Sequence, residues 1–299
     1  MKSEIFNIEW PTVSLTAANY LVWWLLLSNF HQAPWICAVL LIFNLALHNS
    51  LVHEILHGHP TRIQWLNNLM IYPPLALIFP YPIFKSSHLQ HHDNSNLTIP
   101  DVDPESYFHC AVKWQTKCIT SRWLSWAYMT LAGRVLLNPL ISVINLSRLA
   151  LQQMQSGTNT ERLVWLYHVA GCGAVLFIAH NVYHMPVMLY LTCAYLAQSV
   201  ISIRAFFEHR TAAKPDHRIV VVDSCWFFRV LFLNNNYHAT HHRHPKLPWY
   251  KIPQLYRSEK AKVLEGNGNF YIKGYSNLLK FLFRPVASPV FPTLPDQDK

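Results

Sequence analysis

Residues 234–245 read NNNYHATHHRHP, and they place four histidines within seven positions. Two further groups precede this one, HEILH at 53–57 and HLQHH at 88–92. Residues three and four apart lie on one face of a helix. Each group therefore predicts a helical segment that directs two or three imidazoles at one point, as the ligands of a metal ion require.

The three groups supply eight candidate metal ligands: His53, His57, His88, His91, His92, His238, His241 and His242. A zinc ion usually takes four ligands, so eight imidazoles indicate two metal ions with coordination positions left open. Neutral imidazole binds iron, copper, zinc and nickel alike, and the spacing alone leaves the element undecided. His209 in RAFFEHR is a candidate ninth ligand, and its neighbour Glu208 is a candidate ligand or hydrogen-bond partner of one.

The composition predicts a membrane protein, because only 13% of the 299 residues are charged, whereas soluble domains carry about 25%. Two stretches, 10–53 and 163–203, contain no Asp, Glu, Lys or Arg. Each is long enough for two spans of about 20 residues, and polar breaks at 29–34 and 180–186 divide them. We therefore predict an all-α integral membrane protein with two helical hairpins. The predicted spans cover residues 13–30, 33–52, 163–179 and 186–203.

The distribution of basic residues predicts the orientation in the membrane, since all 24 Lys and Arg lie outside the two charge-free stretches. Basic residues favour the cytoplasmic side, so residues 54–162 and 204–299 are predicted to face the cytoplasm. This orientation puts all three histidine groups on one face of a single domain, 1–299, whose cytoplasmic helical cap carries the metal site. The net charge of +9 fits a surface near anionic lipid. Because the basic residues are dispersed, we expect no nucleic-acid partner.

Three smaller predictions concern segments beside the spans. Residues 62–85 contain four prolines, which predict a broken, shallow hairpin in place of a straight span. Residues 123–153 are apolar with widely spaced arginines, a pattern that favours a helix lying in the membrane interface. Asn234, Asn235 and Asn236 are predicted to cap the helix that carries the third histidine group.

The three boxes, H-x3-H, H-x2-HH and H-x2-HH, resemble those of the membrane fatty-acid desaturase and hydroxylase superfamily, and so does their order relative to two membrane hairpins. The resemblance covers roughly residues 15–250. It implies a non-haem centre of two iron ions, O₂ as the oxidant, and attack on an unactivated C–H bond of a lipid. It also implies that the eight box histidines are iron ligands and that His209 is a further one. The chain departs from the pattern at Ala205, where some relatives have Asn, and at Glu54, where many have Asp.

The resemblance favours a fatty-acyl desaturase of the bacterial inner membrane, with its active site facing the cytoplasm. A lipid or acyl chain would be the substrate. No haem-binding or Cys-cluster motif is visible in the sequence, so a separate ferredoxin, rubredoxin or cytochrome is expected to supply electrons. The first alternative is related chemistry: a lipid or alkane hydroxylase, or a carotenoid ketolase or hydroxylase.

Two alternatives belong to other classes of protein. HEILH also matches the H-E-x-x-H motif of zinc metalloproteases, with Glu54 as general base. An intramembrane protease of this kind would need a third metal ligand, but the second hairpin contains no Asp or Glu. A non-enzymatic metal-binding protein would account for many histidines, although it would not account for their grouping at helical spacing.

Carboxylates beside the histidines are candidates for a supporting role, because a metal-bound histidine usually donates its second N–H to a carboxylate or carbonyl. Glu54, Asp93 and Glu208 are next to predicted ligands in the sequence. The acidic loop PDVDPES at 100–106 adds three further candidates: Asp101, Asp103 and Glu105.

Overall fold

The computed structural model describes residues 8–93 and 96–292 of the chain. Most of these residues are helical. In chain order the α-helices are α1 (Trp10–Ser28), α2 (Pro34–Leu56), α3 (Gln64–Met70), α4 (Tyr81–Asp93), α5 (Ala111–Thr116), α6 (Ile119–Tyr128), α7 (Leu131–Ser156), α8 (Asn159–Phe177), α9 (Val187–Glu208), α10 (Trp226–Leu231), α11 (His238–Arg243), α12 (Ile252–Ser258) and α13 (Lys260–Gly266). A π-helical turn, Ile178–Val182, follows α8, and 3₁₀ turns cover Pro215–Arg218 and Tyr275–Phe281.

The chain divides into two compact units. The first comprises Met1–Lys85 and Pro139–Ile201, and the second comprises Ser86–Asn138 and Ser202–Lys299. The boundaries fall inside α4, α7 and α9. The first unit thus holds the charge-free stretches except for the last two residues of the second one, and the second unit holds the second and third histidine boxes.

In the first unit, α1 and α2 are joined by buried polar groups. The Asn19 amide donates to the Asn44 carbonyl oxygen at 2.9 Å, and the Asn44 amide donates back to the Asn19 carbonyl oxygen at 3.0 Å. His48 Nδ1 lies 3.2 Å from Asn19 Oδ1. A polar group in an apolar environment is costly unless it is hydrogen-bonded, so these reciprocal bonds allow α1 to carry Asn19 on its buried face.

Four helices are long and apolar enough to cross a membrane: Pro34–Leu56, Leu131–Ser156, Asn159–Val182 and Val187–Ala205. Three of them coincide with predicted spans. The remaining predicted span, 13–30, corresponds to α1. This segment is helical, but it is not among the four helices above, which include α7 in its place. Residues 123–153 were predicted as an interfacial helix, and they fall in two helices, α6 and α7. Helix α7 runs for 26 residues, and few of its residues are buried. The side chain of Arg134 is buried. Its guanidinium lies 3.8 Å from the ring centroid of Tyr107 and 4.0 Å from that of Tyr128.

The proline-rich segment 62–85 contains no continuous helix. It consists of α3, a non-helical stretch from Ile71 to Pro80, and the first turn of α4. Pro73, Pro74 and Pro80 lie in the non-helical stretch, because proline cannot donate a backbone hydrogen bond. Pro82 is tolerated in the first turn of α4, where its N–H would have no helical partner.

The fold is mostly helical, as predicted, and the second unit adds a small sheet. Strands β1 (Val221–Asp223) and β2 (Tyr271–Lys273) pair in parallel, with Val222 opposite Ile272. The Asn236 amide donates to the Val222 carbonyl oxygen, and the Val222 amide donates to the Asn236 carbonyl oxygen at 2.8 Å. The sheet is therefore bound to the turn that precedes α11.

The same region has its own apolar core, which packs around the start of α11. Buried members of this core are Leu97, Ile219, Val221, Tyr237, Ala239, Ile252, Tyr256 and Val263. Burial of this apolar surface is the main stabilising contribution, and it holds the third histidine box in place.

Candidate metal centre

The second unit brings seven of the nine predicted ligands close together. His88, His91 and His92 lie on α4, His209 follows α9 directly, and α11 carries the third box. The seven form two groups. One consists of His91, His209, His238 and His242, and the other includes His88, His92 and His241.

In the first group the ring nitrogens converge. One ligand nitrogen from each of the four side chains lies within 4.8 Å of the others. His209 Nε2 is 3.1 Å from His91 Nε2 and 3.1 Å from His238 Nε2, and His242 Nε2 is 3.1 Å from His238 Nε2. A metal ion about 2.1 Å from two nitrogens, with a right angle between the bonds, separates them by roughly 3.0 Å. The observed spacing fits two ligands of one ion.

The hydrogen bonds made by the opposite ring nitrogens show why a cation suits this point. His91 Nδ1 is 2.9 Å from Asp103 Oδ1, and His238 Nδ1 is 3.0 Å from Asn235 Oδ1. Both partners are acceptors, so each Nδ1 carries the proton and each neutral ring presents a lone pair at Nε2. A proton on His209 Nε2 could form a hydrogen bond to only one of the two nearby atoms, His91 Nε2 or His238 Nε2. Several lone pairs directed at one point are stabilised by a metal ion.

The second group is built in the same way. His88 Nε2 is 3.1 Å from His92 Nε2, and the His92 and His241 ring centroids are 4.8 Å apart. His88 Nδ1 is 2.8 Å from Glu105 Oε1, which fixes the proton at Nδ1. The second group therefore offers three imidazoles, of which His88 presents its Nε2 lone pair.

The first box lies in the first unit. His53 is in the last turn of α2, and His57 is the residue after the helix. Both side chains are buried, and their ring centroids are 5.0 Å apart. The i, i+4 spacing thus places the two imidazoles side by side, as predicted.

Burial keeps most of these imidazoles neutral. Burial is the main cause, and the charges of neighbouring imidazoles add to it. Together they lower the pKa of His92 and of His209 to about 3, and they lower the pKa values of His238 and His242 well below the usual value. Neutral imidazole is the form that binds a metal ion. His91 differs: burial lowers its pKa, but the hydrogen bond to Asp103 and the charges of Glu105 and Asp103 outweigh burial and raise it. The Asp103 carboxylate thus favours the protonated ring of His91, whereas a metal ion binds the neutral ring.

The supporting carboxylates come from the acidic loop. Asp103 is 4% exposed and accepts three hydrogen bonds, from His91 Nδ1 and from the backbone amides of Thr98 and Glu105. Burial opposes ionisation of Glu105, but the charges of the nearby histidines, foremost His88, hold the pKa of Glu105 below its usual value.

The carboxylates next to predicted ligands occupy other places. Glu208 Oε1 is 2.7 Å from Arg204 Nε and 3.7 Å from His238 Nδ1, on the side of the ring away from its Nε2. Glu54 is 3.7 Å from His59 Nε2. The side chain of Asp93 lies outside the described residues.

The asparagines before the third box do not cap its helix, contrary to the prediction. The N-cap residue of α11 is Tyr237, and no side chain caps the helix. Asn234 donates to the Trp249 carbonyl oxygen and Asn236 to that of Val222, while Asn235 accepts from His238. Asn235 is thus a supporting residue that the sequence alone did not identify, because its local position also suits a cap.

Other histidines lie outside the two groups of the second unit. His59, in the first unit, lies 2.9 Å from a Glu9 carboxylate oxygen. His31 and His184 follow different helices of the first unit, and their ring centroids are 5.6 Å apart. These contacts involve none of the predicted ligands.

Comparisons with known proteins bear on the family of the chain. No curated protein matches the chain. The family model described as fatty acid desaturase, however, matches residues 14–274. That match covers most of the 299 residues, including all nine predicted ligands. The chain belongs to the fatty acid desaturase family, a family of membrane oxidoreductases.

Proposed function

We propose that the protein is an O₂-dependent oxidoreductase that uses two iron ions to attack an unactivated C–H bond of a lipid, and that its reaction is fatty-acyl desaturation. The observation that carries the proposal is the convergence of imidazole Nε2 atoms at 3.1 Å in the second unit. Cleavage of a strong C–H bond needs a redox-active metal, which favours iron over zinc.

In this proposal, His91, His209, His238 and His242 hold one iron ion. His88, His92 and His241 hold the other, and the family pattern also counts His53 and His57 among the iron ligands. Bound iron supplies the redox chemistry that activates O₂. Desaturation would remove two hydrogens from the acyl chain and, with two electrons from a carrier and two protons, reduce O₂ to two molecules of water.

The chain's own residues would orient the ligands and exclude water. Asp103, Glu105 and Asn235 hold the protons on the Nδ1 atoms, so that three rings keep their Nε2 lone pairs for the metal. Such partners raise the basicity of the ligand and fix its orientation. His88, His91, His238 and His241 are all at most 4% exposed, and a dry site protects reactive oxygen species from side reactions.

The charge pattern and the family support the proposed orientation and partners. The proposal places the centre on the cytoplasmic side of a bacterial inner membrane, with electrons from a separate ferredoxin, rubredoxin or cytochrome. Hydroxylation of a lipid, an alkane or a carotenoid is the second candidate, because the same centre supports both outcomes. Ångström-scale positioning of the substrate decides between them.

Lipid mass spectrometry on cells that express the protein tests the proposal, with His241→Ala as the comparison. The expected result is an O₂-dependent lipid that lacks two hydrogens and that the variant does not produce. A product with one added oxygen would favour the hydroxylase instead. Metal analysis of the purified protein provides the second criterion: about two iron ions per chain are expected from the ligand count, and one zinc ion without iron would refute the proposal.

A further inference from the structure

The second unit contains a cavity of about 690 Å³ whose wall includes His209. Ligand sites typically have volumes of roughly 300–1,000 Å³, so the cavity is large enough for a small amphiphilic molecule. Its apolar wall is mainly aromatic: Phe108, Phe206, Phe207, Phe270, Phe281 and Ile272. His209 connects the cavity with the candidate metal centre, because its Nε2 atom belongs to the first histidine group.

The charged side chains that line the cavity are all positive. Arg210, Lys273 and Lys280 line it, and no acidic side chain does. Arg210 is engaged in the wall, since its Nε donates to the His217 carbonyl oxygen at 2.8 Å and its guanidinium stacks 4.2 Å from the Phe270 ring centroid. The nearest acid along the sheet, Asp223, pairs in register with Lys273 but accepts a hydrogen bond from Tyr271 Oη instead.

Lys273 and Lys280, unlike Arg210, are free to contact a ligand. Both are exposed, and among the described residues neither forms an ion pair with a carboxylate. Lys273 ends β2, and Lys280 lies in the 3₁₀ turn that follows. Two flexible ammonium groups at an aromatic cavity match a ligand with one anionic end and one apolar end, because each part meets its complement.

The segment around Lys280 also points to a source in the lipid phase. Leu279 and Phe283 are 65% and 80% exposed. Large apolar side chains beside a basic residue are typical of a surface that meets a membrane. A ligand drawn from the bilayer would thus encounter the apolar residues and the lysines together.

We infer that this cavity binds an acyl chain with a carboxylate or phosphate head group, with the head at Lys273 and Lys280 and the chain among the phenylalanines toward His209. The inference rests on the proposed function for the identity of the chain. It distinguishes between the candidate substrates, because alkanes and carotenoids carry no anionic head. The tail segment after the third box would then select the substrate.

Photo-crosslinking of the full-length, iron-loaded protein in lipid nanodiscs tests the inference. The probes are a diazirine-labelled long-chain fatty acid and the alcohol of the same length. Crosslinked peptides from the acid are expected at 206–211 and 270–287. A charge-assisted hydrogen bond contributes enough to favour the acid about tenfold over the alcohol.

Lys273→Gln/Lys280→Gln is expected to abolish that preference. Lys214→Gln/Lys251→Gln is the matched control, because it removes two exposed lysines that do not line the cavity. Unlabelled free acid, a coenzyme A thioester and lysophosphatidic acid serve as competitors, and the strongest competitor identifies the source of the anionic head.

Three results would overturn the inference: equal crosslinking by acid and alcohol, crosslinks outside these two segments, or equal loss in the control variant. The crosslinking needs neither O₂ nor an electron donor, so it is independent of the proposed reaction. A zinc-containing protein that still crosslinks the acid here would refute only the proposed oxidoreductase. An active, iron-containing protein without these crosslinks would refute only the anion site.

Discussion

Replacing Asp103 by Asn tests whether the buried carboxylate tunes the metal centre. Asp103 Oδ1 accepts from His91 Nδ1 and from the Glu105 amide, both at 2.9 Å, while Oδ2 accepts from the Thr98 amide at 2.7 Å. Asparagine keeps the size of the side chain but turns one acceptor into a donor. In the orientation that preserves the bond to His91, the new amide faces the Thr98 N–H, and the backbone donor loses its partner.

Two costs follow from this geometry. A buried donor left without an acceptor costs about 1–3 kcal/mol of folding free energy. Loss of the carboxylate behind a ligating histidine typically weakens metal affinity about 10–100-fold, which corresponds to about 1.4–2.7 kcal/mol. Metal affinity should therefore fall by at least one order of magnitude, and stability should fall measurably in the protein without metal.

Iron affinity is measured by competition with a chelator of known affinity, with the metal content determined by mass spectrometry. Circular dichroism verifies that the variant is folded. Asp101→Asn is the matched control, because Asp101 lies in the same loop and its carboxylate forms an exposed ion pair with Lys113. An unchanged iron affinity in Asp103→Asn, or an equal loss in Asp101→Asn, would refute the reasoning.

Two further predictions concern stability. The pKa of His59 is raised. Burial alone would lower this pKa, but the hydrogen bond to Glu9 and the charges of Glu54 and Glu9 together outweigh burial. A raised folded-state pKa stabilises the fold fully below the ordinary value of about 6.5, and this contribution disappears as pH rises through the folded-state pKa. The difference in thermal midpoint between wild type and Glu9→Gln should therefore be larger at pH 6 than at pH 9, and a difference independent of pH would contradict this. Arg218 is fully buried and donates to the carbonyl oxygens of Leu97, Ala212 and Ala213, so Arg218→Met should lower the free energy of unfolding by about 3 kcal/mol or more. Denaturant titration measures the loss, and exposed Arg257→Met is expected to have little effect; a similar loss in both would argue against the buried hydrogen bonds as its cause.

The supporting residues show the limit of prediction from the sequence. Glu54, Asp93 and Glu208 were obvious candidates because they are next to predicted ligands. The acidic loop was a further candidate, and the partners of His88 and His91 are two of its three acids, Glu105 and Asp103, which are 17 and 12 residues further along the chain. The sequence did not predict which acid of the loop contacts which histidine. Sequence spacing predicts contacts within a helix, but a loop returns to its helix along a path that local spacing does not specify. Asn235 was missed for a similar reason. Its side chain contacts His238, but its position before a helix equally predicts a hydrogen bond to a backbone amide of that helix.

The membrane helices show a similar division. Hydropathy and charge predicted α2, α8 and α9, since each is a long apolar run that needs no tertiary contact to be recognised. They did not predict that α7 is long and apolar enough to span. The sequence suggested an interfacial helix because of Arg134 and Arg148. Arg148 is exposed, but Arg134 is buried against two tyrosine rings. The contact between Arg134 and Tyr107, which are 27 residues apart, is a tertiary feature.

The sequence by itself determined that the protein is helical and rich in membrane spans, and it identified the histidines that converge. Those properties depend on composition and on the periodicity of a helix, which are local. Only the tertiary structure decided which histidines of the second unit form a group, which carboxylates orient them, and where a cavity adjoins His209. These properties depend on which surfaces meet when apolar area is buried, so residues far apart in the chain determine them jointly.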